Sequence, residues 1–438
     1  MTVVLFQGES AVLHTRHQMS VGQGGFHVAQ LLSTEHAGAV DLSGAAIRAF
    51  GAKPLRYVYD CGSRQQNRCI QVVNNYIRDS GRDPIDFLFL SHFDDDHVNG
   101  IPTLLDRTTG LQVDTIVLPF IDAVERMIAF GRARARASRT TGFFRGLVVN
   151  PTEALAVFNP RRIIFVQAGP AADDAGPLEL APSGPDPEAP FRWKLVSAQG
   201  QPKGKTTLRS GVEAITVSDS CWFDIVDRSY RFDWIFKPYV RRTAPALVQI
   251  FEREAEKNLG WQFGSFRRHV NNQAERASLV MDQGKSQALA RAYKVAFLNR
   301  NLTSLCLYAG PSGSQRAQLL LERRDDFLQK VDKIGWLGTG DAALAHPQDA
   351  SDFIRHFHQQ RYAVATYTLP HHGAKPNHSA IILSAFEPLT CSVSAKPPRS
   401  WLHPHPDVIR EIQSMGLVSV HVTDRQSSEL HEGFLVFP

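Results

Sequence analysis

The chain reads as an α/β protein, and three observations predict this. The apolar run Phe87-Leu88-Phe89-Leu90 reads as a buried strand that passes straight into a polar cluster, with a turn and a helix following over Val98 to Leu105. Residues 1–120 and about 290–438 each alternate short strands with helices. At 438 residues and 43% apolar, the chain exceeds a single average domain and can bury a sizeable core.

The cluster after the first strand is His92-Phe93-Asp94-Asp95-Asp96-His97. Imidazoles and carboxylates at that density repel one another and are costly to hold near a core, so a hard or borderline metal ion is the usual remedy. In extended chain, side chains two apart point the same way, so His92 and Asp94 can reach one ion together. Asp96 and His97 follow where the chain turns and can face a second ion. The bland alternative is a solvated acidic loop with incidental histidines. The strand end is also where α/β proteins commonly place their chemistry.

The spacing H-x-D-x-D-H resembles the H-x-H-x-D-H signature of the metallo-β-lactamase fold, with Asp94 in place of the second histidine. The Asp variant resembles the hydrolase domain of ComEC-type DNA-uptake proteins, and also phosphorylcholine esterases of the same fold. Further segments resemble that domain in the same order. Val21-Gly22-Gln23-Gly24-Gly25 is similar to its opening V-G-Q-G turn, whose glycines let the backbone run close to the metal pocket, with Gln23 lining it. Tyr57-Val58-Tyr59-Asp60-Cys61-Gly62-Ser63 resembles the I-D-x-G strand end, which makes Asp60 a carboxylate bracing a metal-site loop. Trp336-Leu337-Gly338-Thr339-Gly340-Asp341 resembles L-x-T-G-D, whose aspartate bridges two metals. Thr368-Leu369-Pro370-His371-His372-Gly373 resembles P-H-H-G, which implies His372 as a ligand and His371 in the pocket lining. Trp401-Leu402-His403-Pro404-His405-Pro406 resembles H-P-H-P, where His403 or His405 would protonate a leaving group.

The resemblance therefore implies an αββα metallo-β-lactamase sandwich with a long central insertion. Its halves are residues 1–120 and 291–438, and 121–290 is the insertion. The implied ligands are His92, Asp94, Asp96, His97, Asp341 and His372, with Asp96 also counted among the catalytic groups. The implied cofactors are two divalent ions, Zn²⁺ or Mn²⁺, with Mg²⁺ admitted. Many enzymes of this fold add another histidine ligand between the first cluster and the bridging aspartate. Here Asn299-Arg300-Asn301-Leu302-Thr303-Ser304-Leu305 resembles the N-x-x-S-L strand instead, placing Asn301 and Ser304 in the pocket and leaving an oxygen-rich first site.

A net charge of +5 is too mild to argue nucleic-acid binding by itself. No apolar run is long enough to span a bilayer and no signal peptide is visible, so the membrane channel of ComEC-type proteins has no counterpart. The cysteines, 5 in number and scattered, fit reduced buried thiols and a cytoplasmic setting.

Within the insertion, Ala168 to Pro190 reads as a flexible linker rich in Pro, Ala, Gly and Asp. Around it lie a helical segment (Ile121 to Arg145), a strand-rich patch (Leu208 to Val240) and a helical run (Ala244 to Lys294). The aromatic stretch Tyr230 to Tyr239 fits a hairpin's packing face better than a base-stacking platform. On the first helix Arg132, Arg136 and Arg139 share a face, which suits tracking a phosphate backbone; a plain solvated face is the alternative.

These readings converge on a metal-dependent phosphodiester hydrolase, a nuclease with DNA as the favoured partner and no membrane partner. The alternatives are hydrolysis of a small phosphodiester, lactone or thioester, or an effector subunit of a bacterial defence system activated by a sensor or ATPase protein.

Overall fold

A computed structural model describes residues 3–4, 11–34, 40–41, 48–49, 53–137, 140–169, 178–179, 191–197, 203–208, 210–227, 233–297, 303–312, 317–321, 329–396 and 403–437. Two large mixed sheets dominate it, of 11 and 9 strands. The middle of the larger sheet is parallel: Leu55–Ser63, Ile85–Phe89, Val113–Pro119 and Arg162–Gln167 lie side by side. Gly24–Ser33, Val12–Gln18 and Leu430–Val436 extend it antiparallel, so the far end of the chain pairs with its beginning. In the smaller sheet Trp234–Arg241, Ser304–Gly310 and Gly335–Gly338 pair antiparallel. Val364–Thr368, Thr390–Ser394 and Val418–Val422 continue it in parallel.

Strand alternation explains how the sheets stack. On a strand, neighbouring side chains take opposite faces. Tyr57, Tyr59, Phe87 and Phe89 enter one core together with Trp193, Phe223, Phe236 and Trp336 from the other sheet. Val58, Leu88 and Leu90, one residue out of phase, enter a second core with Tyr76, Met127, Phe130, Phe251 and Tyr293 of the helices. A third core joins the outer face of the smaller sheet to helices through Leu337, Phe353, Leu383 and Ile412. The layers thus run helix, sheet, sheet, helix. Each fully buried aromatic or aliphatic side chain stabilises this stack by roughly 1.5–3 kcal/mol. Edge-to-face contacts such as Phe87 on Phe223, with centroids 5.3 Å apart, fix how the two sheets face each other.

The central third of the chain builds into this frame. Arg162–Gln167 pairs parallel to Val113–Pro119, and Glu213–Ser218 pairs parallel to Arg162–Gln167, widening the larger sheet. Phe191–Ser197, Trp222–Asp227 and Trp234–Arg241 widen the smaller one. Trp234 and Phe236 are fully buried, so the described part of the aromatic stretch serves the core. The proposed linker lies almost wholly outside the described residues. The helices Ala123–Arg136, Pro245–Leu259 and Gln283–Phe297 pack over the larger sheet. Among the described residues no helix is long and apolar enough to cross a membrane. All five cysteines are buried, and none is in a disulfide.

Candidate metal centre

The strand Ile85–Phe89 ends in Leu90-Ser91-His92-Phe93-Asp94, and Asp94 is still extended (φ −131°, ψ 143°) before the short helix Asp95–Val98. The strand Gly335–Gly338 ends three residues before Asp341, and Val364–Thr368 runs into the tight turn Pro370–Gly373. These strand ends meet on one carboxylate. His92 Nε2 lies 3.4 Å and His371 Nε2 3.6 Å from Asp341 Oδ2. His97 Nε2 lies 3.7 Å and His372 Nε2 3.9 Å from Asp341 Oδ1. Each oxygen of Asp341 is thus shared by two imidazoles.

The ring orientations are fixed from behind. His372 Nδ1 donates to the Ser394 carbonyl at 2.7 Å, and His371 Nδ1 donates to Asn377 Oδ1 at 3.1 Å. His97 Nδ1 donates to Asp60 Oδ2 at 2.9 Å. The Ser91 hydroxyl gives its one proton to Asp60 Oδ2 and therefore accepts from His92 Nδ1, at 2.7 Å. Every imidazole in the group thus has its Nδ1 committed and turns Nε2 toward Asp341. His371 and His372 reach these positions with left-handed backbone (φ 48° and 57°), a strain of a kind that collects at functional sites.

An Nε2 that faces a carboxylate needs either a proton or a metal ion between the two. The separations of 3.4–3.9 Å are too long for hydrogen bonds. They are close to the roughly 3.4 Å between two donors that are each about 2.0–2.1 Å from one tetrahedral ion. His92 Nε2, His97 Nε2 and Asp341 Oδ1 are buried without a hydrogen-bond partner among the described residues. The donor atoms of His92, His97 and Asp341, and those of Asp96, His97 and His372, form two compact groups suited to an ion. The residues therefore fit divalent metal.

The charges agree. Burial pushes the Asp341 carboxyl up, but His371, His92 and His97 outweigh it and hold it well below the usual carboxylate range. Burial also opposes the Asp96 charge, yet His97, Arg64 and His372 keep that carboxyl low. Burial pulls His97 down, but Asp60 and Asp341 push it up to about 9, so without a cation this ring carries a second proton that a metal ion would displace. For His372 burial prevails over Asp341 and lowers it to about 4, so this ring is neutral and ready to ligate.

The supporting residues fall around this cluster. Asp60, itself left-handed (φ 57°), accepts from Ser91 N at 2.7 Å as well as from Ser91 Oγ and His97. The glycine turn lies directly behind the ligand loop: a Cβ on Gly24 would come within 2.7 Å of the Asp96 carbonyl. Gln23 is buried, and its carbonyl accepts from Arg64 N. Ser304 is buried beside Gly340, one residue from Asp341. His403 is partly buried with its ring 5.4 Å from that of His371. His405 instead caps the helix Pro406–Ser414, its Nδ1 accepting from Asp407 N. Asn301 and Arg139 lie outside the described residues.

The arginine helix departs from its expected role. Arg132 does not face solvent; it is 0% exposed and donates from Nη2 to Asp341 Oδ2 at 2.7 Å. The same nitrogen lies 3.3 Å from Asp94 Oδ2, and Arg136 Nη1 lies 3.5 Å from that oxygen. Arg126 is occupied by the Val148 and Val149 carbonyls. The reason lies in the helix surface: Met127 to Ala133 are buried all round, so a charge inside that run must find a buried partner. That unbroken run was the sequence signal for Arg132. Two further contacts have no clear sequence signal. They are the Ser91 relay between Asp60 and His92, and the bond from Thr141 Oγ1 to Asp95 that ties the ligand loop to the helix Gly142–Val149.

No protein-family model matches the chain. No curated protein matches it either.

Proposed function

We propose that this chain is a hydrolase of the metallo-β-lactamase fold, resembling the ComEC-type domain, that cleaves phosphodiesters, with DNA as the foremost substrate. The observation that carries the reading is the convergence of four anchored Nε2 atoms on the two oxygens of Asp341. The helix–sheet–sheet–helix layering, with the donors gathered at strand ends, supports the same fold. His92, Asp94 and His371 would hold a cation on the Oδ2 side of Asp341, and Asp96, His97 and His372 one on the Oδ1 side. Bound divalent metal supplies Lewis acidity and lowers the pKa of water.

The remaining work falls to side chains. Asp60, Ser91, Asn377 and the Ser394 carbonyl hold the rings so that the donors need no rearrangement during the reaction. Arg136, near the mouth of the site with its side chain 13% exposed, offers a guanidinium to the anionic phosphate. This cationic wall favours phosphodiesters over lactones or thioesters. His403 is the candidate donor to the leaving oxygen. Burial lowers its pKa, so the ring holds a proton less readily than a free imidazole and is the stronger acid when it does.

The test pairs linear and plasmid DNA with RNA and bis(p-nitrophenyl) phosphate, each with Mn²⁺, Mg²⁺ or Zn²⁺. Cleavage of DNA is expected. Turnover of the small diester alone would redirect the reading to small substrates. Intact substrates under every metal would overturn it.

A further inference from the structure

Arg132 occupies an unusual place. The Oδ2 half of the cluster contains Asp94 and Asp341 carboxylates with the His92 and His371 rings, a set that calls for a cation. A cation is already there. The Arg132 guanidinium makes the shortest contact to Asp341 Oδ2, 2.7 Å, and lies 3.3 Å from Asp94 Oδ2. It is fully buried and cannot lose its proton. Nor can it swing away cheaply. Its helix is fixed at the start by the reciprocal Asp122–Glu125 capping box, and Gly131 sits against the Leu289 carbonyl, where an added Cβ would be 2.8 Å away. Leaving would put two carboxylates side by side with only Arg136, 3.5 Å from Asp94 Oδ2, as a nearby guanidinium.

The Oδ1 half differs. Its carboxylate, Asp96, pairs at 3.1 Å with Arg64, whose side chain is 26% exposed rather than buried. His97 and His372 face Asp341 Oδ1 with no guanidinium between. A divalent ion can enter there without displacing a buried guanidinium. In the Oδ2 half it would meet like-charge repulsion from Arg132 at contact distance.

We infer that the two halves of the centre are unequal: the chain holds one tightly bound divalent ion, on His97, His372, Asp96 and Asp341 Oδ1, and Arg132 is the resident positive charge of the other half. This rests on the metal-hydrolase reading above and sharpens it to one metal ion plus one guanidinium. Arg132 Nε and Nη1 are buried without hydrogen-bond partners among the described residues.

The test is metal stoichiometry of the full chain. Metal is stripped with chelator, then Co²⁺ is titrated and followed by visible absorption, calorimetry and elemental analysis. Wild type is expected to take one equivalent tightly and a second at least 100-fold more weakly. Arg132→Met should bring the second ion to within about tenfold of the first, and Arg132→Lys, which keeps the charge, should stay closer to wild type. Two equivalents of similar affinity in wild type would overturn the inference and leave the hydrolase reading standing, even if Arg132→Met does not fold. So would a folded Arg132→Met that still takes one. No binding by wild type or variants would overturn the metal reading itself, and this inference with it.

Discussion

Asp341 has two oxygens and a separate pair of imidazoles on each, so its neighbours must be held still. Asp60 does most of this holding for the first half of the chain, since it accepts from Ser91 and His97 and, through Ser91, orients His92. Asp60→Asn tolerates the same left-handed backbone but removes the negative charge and one acceptor. It should weaken metal binding about 10–100-fold with little change in fold. A competition titration against a chromophoric chelator reads this directly, and unchanged affinity would remove Asp60 from the centre. The H-x-D-x-D-H spacing, the G-D turn and the H-H pair were legible as candidate donors because their geometry is local, and the structure brings them together. Arg132 was not, because nothing within its helix says which carboxylate it will meet 209 residues away.

At the scale of elements, the arginine helix Ala123–Arg136 and the helix Gln283–Phe297 approach closely at Gly131. Gly131→Ala tests that contact. Alanine favours a helix over glycine by about 1 kcal/mol. The new Cβ, however, meets backbone at 2.8 Å, and overpacking of that kind costs about 1–3 kcal/mol. The expected net result is a lower Tm, with a second ion bound less weakly as Arg132 shifts away from Asp341; a higher Tm would mean the helices separate freely. Helices and core strands were readable from periodicity. The allocation of central strands to two different sheets was not. Arg162–Gln167 and Trp234–Arg241 are both apolar strands, and only non-local pairing decides that one joins Val113–Pro119 and the other Ser304–Gly310.

Across the whole molecule, Asp219 stitches the two sheets together. Its buried carboxylate accepts from Gly169 N at 2.8 Å and from Val240 N at 3.1 Å. Burial is the main cause that raises it from 3.8 to about 6, over the opposing backbone bonds. The folded chain therefore keeps this proton where the unfolded chain has lost it. Below about pH 4 the group is neutral in both states. As pH rises through 4 to 6 the folded state takes on the cost, about 3 kcal/mol once complete. Asp219→Asn abolishes that slope. Thermal melts at pH 4 and pH 7 should show the variant gaining on wild type at the higher pH; a constant gap would refute the assignment. Metal acts on the same scale. Bound at about 100 times its dissociation constant, a divalent ion should add about 2.7 kcal/mol and raise Tm, and chelator should reverse the gain. An unshifted melt would count against the centre.

The donors of the centre are spread along the chain: His92, Asp94, Asp96 and His97 come early, Arg132 next, and Asp341, His371 and His372 late. Synthesis runs in that order. When the first half has left the ribosome, Arg132 already has Asp94 to meet, so the early carboxylates have a counter-charge before any later residue exists. The last quarter then delivers the carboxylate and imidazoles that complete the ligand set. A nascent chain is thus neutralised early, and its full donor set assembles only once the last quarter has folded onto the first half.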